Sequence, residues 1–215
     1  MILNWFLLLL TAFLAYTTGS LSTRRVASRF LFHRDLTKLG KGNVWISNFR
    51  RIFGPLGFVK LALAEIVKDL LPLLIGALLI GFRGRADIGI AFAGYCLMLG
   101  RLWPVFNRFR GCHGCIALIL CGLLIEPSVG VTAAAGVIAG IWIFKTLSMG
   151  AVAGALAMAA VAVMVVEKQL ILILTALICL LVLLHHIPAM RRMLRGTEEK
   201  LSRKEDISYK FDEKF

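Results

Sequence analysis

Three short stretches of this chain, and one turn inside an apolar run, gather the side chains that could do chemistry. The first, residues 19–57, carries eight Lys and Arg against one acid, Asp35, and is punctuated by GKGN at 40–43. Backbone N–H groups in such a turn, with Lys41, Arg50 and Arg51 beside them, are the materials of a phosphate site. It is not a Walker loop, because no GxxxxGK[ST] is present. The second, GRLWPVFNRFRGCHGC at 100–115, sets Arg101, Arg108, Arg110 and His113 beside Gly111 and Gly114. Its CHGC run offers at most three zinc donors with no second pair to complete a tetrahedral set. Ile116 follows Cys115, so it is not a haem-attachment signature either, and no metal or cofactor is expected. The third, HHIPAMRRMLRGTEEK at 185–200, places two histidines ahead of a cationic run. That pattern suits an acid–base group beside an anion site, or equally a pair of interfacial anchors. Finally, Glu65, Lys68 and Asp69 lie within an apolar run. Ionisable groups there are costly and face the bundle interior or a partner, and Glu65 and Lys68, at i and i+3, can pair on one helix face.

The elements that must position these groups follow from composition. Of 215 residues, 59% are apolar, and the mean hydropathy is +0.84. Ordinary soluble domains run at roughly 45–50% apolar even with glycine counted. The composition excludes an aqueous globular enzyme, a disordered chain and a disulfide-stapled secreted domain. An all-α, polytopic membrane protein is predicted. Net charge is +13, yet only 17% of residues are charged, so the cations must crowd into short loops. In a membrane protein that excess reports topology and contact with anionic head groups or substrates, not nucleic acid.

Seven spans are expected: Trp5 to Thr17, about Leu61 to Phe82, about Ile88 to Phe106, two between Ile116 and Phe144 divided at Glu126-Pro127-Ser128, Gly150 to Val166, and Leu170 to His185. Proline and the residue before it favour the break. With the N-terminus outside, the segments 20–57, 100–114, 145–149 and 186–215 hold 20 Lys and Arg, and the outer loops hold three. The positive-inside rule therefore puts the C-terminus and all three basic stretches on the cytoplasmic side. Residues 1–200 read as one membrane domain and 201–215 as a short charged tail. Gly136 and Gly140, like Gly150 and Gly154, have the small-residue spacing of close helix packing within one bundle.

These loops in this order resemble the acyl-phosphate:glycerol-3-phosphate acyltransferases of bacteria, the PlsY family. The likeness runs from about Gly19 to Lys200. It rests on Gly19-Ser20, Asp35-Leu36, Gly40, Gly42-Asn43, Asn48, Arg51 and Gly54, then Glu65 and Lys68 where the family has Asp and Lys. It continues through Gly100, Pro104-Val105-Phe106, Phe109, Gly111 and Gly114 to His186, Arg192, Leu194, Gly196, Glu198 and Lys200. There are departures. The family's GSGN serine is Lys41 here, and the histidine before its PVF is Arg101. Its GGKG lysine is His113, with Cys112 replacing a glycine. Ser148 stands where the family has a serine, but a second serine is Ala151, and the asparagine three residues after His186 is Ala189.

The resemblance implies a seven-span fold with its motifs on the cytoplasmic face of the bacterial inner membrane. It implies transfer of a fatty acyl group from acyl-phosphate to glycerol 3-phosphate, giving lysophosphatidate, without a cofactor. Such a reaction needs positioning and an anion hole more than activation, since an acyl-phosphate is already reactive. By the resemblance, Arg51, Lys41, His113 and Arg110 bind phosphate, and Asn43 and Asn48 order the loop and the substrate hydroxyls. Gly40, Gly42, Gly111, Gly114 and Ser148 line the site, and His186 accepts a proton or donates a hydrogen bond. The substitutions leave two alternatives open: a paralogue that binds acyl-phosphate or lipid without catalysis, or a transferase for another phosphorylated acceptor. A transporter would show repeated halves, and none is visible.

Overall fold

Apolar runs long enough to cross a bilayer become helices because lipid offers no partner for a bare N–H or C=O. A computed structural model describes residues 2–23, 26, 46–81, 84–109 and 111–197, with backbone alone for 2, 46–55 and 58. Among these residues the chain forms seven α-helices: α1 (Ile2–Ser20), α2 (Ile46–Gly81), α3 (Ala86–Leu102), α4 (Cys115–Ile125), α5 (Pro127–Phe144), α6 (Leu147–Val165) and α7 (Gln169–Leu194). Five of them, α1, α3, α5, α6 and α7, are long and apolar enough to span a membrane. The surface bears this out: Trp142, Met164 and Leu9 are 82%, 84% and 69% exposed, while Leu97, Met98, Leu118 and Ile178 are fully buried. Large apolar side chains line the outside as well as the core, which suits a lipid solvent. The expected charged tail, 201–215, lies outside the described residues.

The expected break at Glu126-Pro127 is present. Glu126 is extended (φ −156°, ψ 122°) and Pro127 opens α5 at a position where its missing N–H is harmless. Four boundaries differ from expectation. The last helix, α7, runs through Pro188 to Leu194, where His185 was the expected end. At 11 residues, α4 is about 16 Å long, short of the roughly 30 Å hydrocarbon core. The second helix reaches back to Ile46, well before Leu61. Its 36 residues make about 54 Å, so a cationic stretch runs on past any span. Conversely, α3 stops at Leu102, because Pro104 (φ −73°, ψ 122°) cannot continue a helix. Pro104-Val105-Phe106 therefore lead out of the bundle through a 3-10 turn at Val105–Asn107.

Glycines set how closely the helices cross. A Cβ on Gly100 would overlap the Tyr16 carbonyl, and one on Gly19 the Leu97 carbonyl, so α1 and α3 touch backbone to backbone. Gly136 and Gly140 do the same for α5 against Ala153 and Gly150 of α6, the within-bundle packing their spacing suggests. Polar side chains inside helices close on their own turn: Thr11 donates to the Leu7 carbonyl and Thr175 to the Ile171 carbonyl, each at 2.8 Å. Short connections make neighbouring helices run antiparallel. The C-terminal ends of α1, α3, α5 and α7 therefore share one end of the bundle with the N-terminal ends of α4 and α6.

Candidate active site

That shared end collects Gly111, His113, Gly114, Ser148 and His186 of the expected site. At the last turn of α3, Arg101 is only 4% exposed and sends its two terminal nitrogens to α2: Nη1 lies 2.7 Å from Asp69 Oδ1 and Nη2 3.0 Å from Glu65 Oε2. Glu65 and Asp69 are one turn apart, so a planar guanidinium reaches both. Lys68 Nζ lies 3.3 Å from Asp69 Oδ1 and donates to the Leu21 carbonyl at 3.1 Å, fastening the end of α1 to the same cluster. Spacing had allowed Glu65 to pair with Lys68; the fold instead gives Glu65 to Arg101 and Lys68 to Asp69.

Beside this cluster lies a small open cleft, lined by Ser20, Thr23, Glu65, Arg101, Asn107 and Cys112 among others. Its walls are held by backbone. Ser20 Oγ donates to the Gly100 carbonyl at 3.3 Å, and the Tyr16 hydroxyl to the Trp103 carbonyl at 2.9 Å. The Cys112 N–H donates to the Arg101 carbonyl at 3.2 Å. Gly111 must be glycine here, because a Cβ would overlap the Leu102 and Arg101 carbonyls. Gly114, at φ 71°, turns the chain into α4, a conformation that L side chains rarely adopt. Between these glycines His113 faces His186 of α7, ring centroids 5.8 Å apart.

His186 is 3% exposed, and its Nδ1 lies 2.7 Å from the Val182 carbonyl. A carbonyl only accepts, so Nδ1 carries a hydrogen; in the neutral ring this leaves the lone pair on Nε2, the tautomer a proton acceptor needs. His185 stands next to it, 5.2 Å between ring centroids, and meets Trp103 edge-on at 5.4 Å. Ser148 is buried at the first turn of α6. The neighbouring Leu147 carbonyl accepts from Cys115 Sγ at 3.7 Å, which brings that turn to the start of α4. No group of three His, Cys, Asp or Glu that could hold a metal ion is found among the described residues.

The structure thus brings Gly111, His113, Gly114 and His186 together, with Ser148 at the same end. Asn48 and Arg51 fall on the first turns of α2, where only the backbone is described. Gly40, Lys41, Gly42, Asn43 and Arg110 lie outside the described residues. The sequence marked Glu65, Lys68 and Asp69 as charges within an apolar run and Arg101 as a cation of the second stretch, but it did not pair Arg101 with the carboxylates, and Ser20 entered only as a motif residue. The signal was there in part: Glu65 and Asp69, one turn apart in an apolar run, share a helix face and call for a cation.

Against known proteins, the glycerol-3-phosphate acyltransferase family model matches residues 9–196. The chain belongs to this family. A glycerol-3-phosphate acyltransferase of Thermoanaerobacter sp. (strain X514) is 27% identical over 198 residues, 92% of this chain and 98% of that one. One of Carboxydothermus hydrogenoformans is 28% identical over 200 residues, 91% and 97% of the two chains. The fold matches two crystal structures of PlsY (YgiH), an integral membrane glycerol 3-phosphate acyltransferase. Its glycerol 3-phosphate form has a TM-score of 0.72 at 22% identity, and its lysophosphatidic acid form 0.73 at 20% identity. Each comparison covers 90% of this chain and 94% of the other. This family member is accordingly a multi-pass membrane protein, with the family's activity, acyl transfer in phospholipid synthesis.

Proposed function

We propose that the chain transfers a fatty acyl group from acyl-phosphate to the 1-hydroxyl of glycerol 3-phosphate. The site would face the cytoplasm, with the N-terminus outside the bacterial inner membrane, as the 20-to-3 division of cations supports. The observation that carries the reading is the meeting of His186 with His113, the residue after the cleft-lining Gly111 and Cys112, within a chain matched to the family over nearly its whole length.

In the reaction the acceptor hydroxyl oxygen bonds to the acyl carbonyl carbon. The carbon–oxygen bond to phosphate breaks, and inorganic phosphate leaves with the electron pair. His186 Nε2 takes the hydroxyl proton. Lys41, Arg51, Arg110 and His113 balance the two phosphate groups, replacing the family serine and lysine by a cation moved from one loop to the other. Asn43 and Asn48 order the first loop, while Gly40, Gly42, Gly111 and Gly114 let backbone N–H groups approach phosphate closely.

The test is acyl transfer by the purified chain in lipid, with radiolabelled glycerol 3-phosphate and either palmitoyl-phosphate or palmitoyl-CoA. Lysophosphatidate is expected from the acyl-phosphate alone. It should vanish in Arg51→Ala and fall by about 10²–10⁴-fold in His186→Ala, the usual size of a lost general base. A folded sample that binds palmitoyl-phosphate but makes no product from either donor would sink the reading and leave a non-catalytic binder or another acceptor.

A further inference from the structure

Arg101 stands where the resemblance sets a histidine, and the fold uses it at both ends. Its guanidinium is held by Glu65 and Asp69. Its carbonyl takes the Cys112 N–H, and the Gly111 backbone packs directly on it. One residue therefore grips α2 and the start of the 111–114 loop at once. One residue beyond Cys112, the His113 ring meets His186.

Stability alone is a poor reason for such a cluster. Well-packed apolar residues of similar volume are often as stable as a buried ion pair or more so. What the charges give is a fixed direction: a fork bound to two carboxylates one turn apart has little freedom to rotate. Arg101 Nε and Asp69 Oδ2 are buried without a hydrogen bond among the described residues, so the cluster accepts an electrostatic cost to keep this geometry.

We propose that Arg101 is a positioning residue of the transferase. Clamped by Glu65 and Asp69, it seats the Gly111–Gly114 loop and thereby sets His113 against His186. This rests on the transferase reading above, with a loop readout that does not.

The test uses full-length protein in lipid nanodiscs. The double variant Arg101→Met/Glu65→Gln removes one positive and one negative charge and leaves Lys68 with Asp69. Three quantities are read: the thermal midpoint, kcat and KM for glycerol 3-phosphate with palmitoyl-phosphate as donor, and the maleimide-labelling rate of Cys112 mapped by peptide mass spectrometry. The midpoint should match the wild type while kcat falls about 100-fold, the size of a 1 Å misplacement, and KM moves less than about threefold. Cys112 should label about tenfold faster as the loop loosens. Wild-type kcat in this variant would make the cluster structural and overturn the proposal. Should the double variant fail to fold, Arg101→Lys keeps the charge without the fork and should lose about tenfold in kcat; unchanged kcat there overturns it equally. If the wild type itself makes no product, the transferase reading has failed. The labelling rates then decide alone, equal rates refuting the clamp and a faster variant upholding it.

Discussion

At its start α3 holds Asp87 against Lys168 at the foot of α7, and at its end it holds Arg101 against Glu65 and Asp69. The first pair is open to solvent, its side chains 32% and 66% exposed. The second is sealed, with Arg101 at 4% and Asp69 at 0%. Chemically the two are alike; the surroundings separate them. An exposed pair gains little Coulomb energy and is screened by salt, so it contributes roughly 0–1 kcal/mol. A buried pair need not stabilise the fold over an apolar substitute, yet it cannot lose one member cheaply, because the survivor is left charged in a dry interior. One end of α3 is thus tolerant of change and the other is not, and the intolerant end carries the cleft.

Three substitutions sharpen or break this contrast. The largest effect is expected of Arg101→Met alone, which strands Glu65 and Asp69 with only Lys68 for company. It should cost about 3–5 kcal/mol, read as a lowered thermal midpoint or denaturant resistance in lipid. A midpoint equal to wild type would mean that water reaches the carboxylates and that the two ends do not differ as described. Next is Gly100→Val, beside the cluster. Its added bulk must part α3 from the Tyr16 carbonyl, costing about 1–3 kcal/mol as an overpacked contact. Because Ser20 bonds the Gly100 carbonyl, acyl transfer should fall with it. Full activity would show that α1 does not wall the cleft. The smallest is Asp87→Asn at the far end. It should shift stability by less than about 1 kcal/mol, and the difference from wild type should fade in 1 M salt, where charges are screened within about 3 Å. A salt-independent loss would place this pair with the buried one.

Much of the fold was legible because lipid imposes a simple rule: long apolar runs are helices. The break at Glu126-Pro127 was readable from proline chemistry alone. The extension of α2 back to Ile46 was not, because Arg50, Arg51 and Lys60 make that stretch look like loop. At the site, the loop glycines and His186 announced themselves by type and spacing. The Arg101 clamp did not, since its hydrogen-bonded partner Asp69 lies 32 residues away and local spacing favoured Lys68 as the match for Glu65. Long-range pairing of charges is decided by which helices cross, and in this molecule by which glycines let them cross closely.

The order of residues along the chain has a bearing on how the protein is made. Glu65 and Asp69 leave the ribosome before Arg101, and 32 residues at about 5–20 residues per second is roughly two to six seconds of translation. For that time Glu65 and Asp69 lack Arg101, the partner they meet in the folded protein. Its last 18 residues carry three charged groups, Glu65, Lys68 and Asp69, too many for it to partition into the bilayer as a lone helix on hydropathy. Gly76 of α2 and Gly89 of α3 each leave no room for a side chain against the other's backbone. The two helices are therefore shaped to close as a tight hairpin, pressed together by these glycines and locked further along by the Arg101 guanidinium.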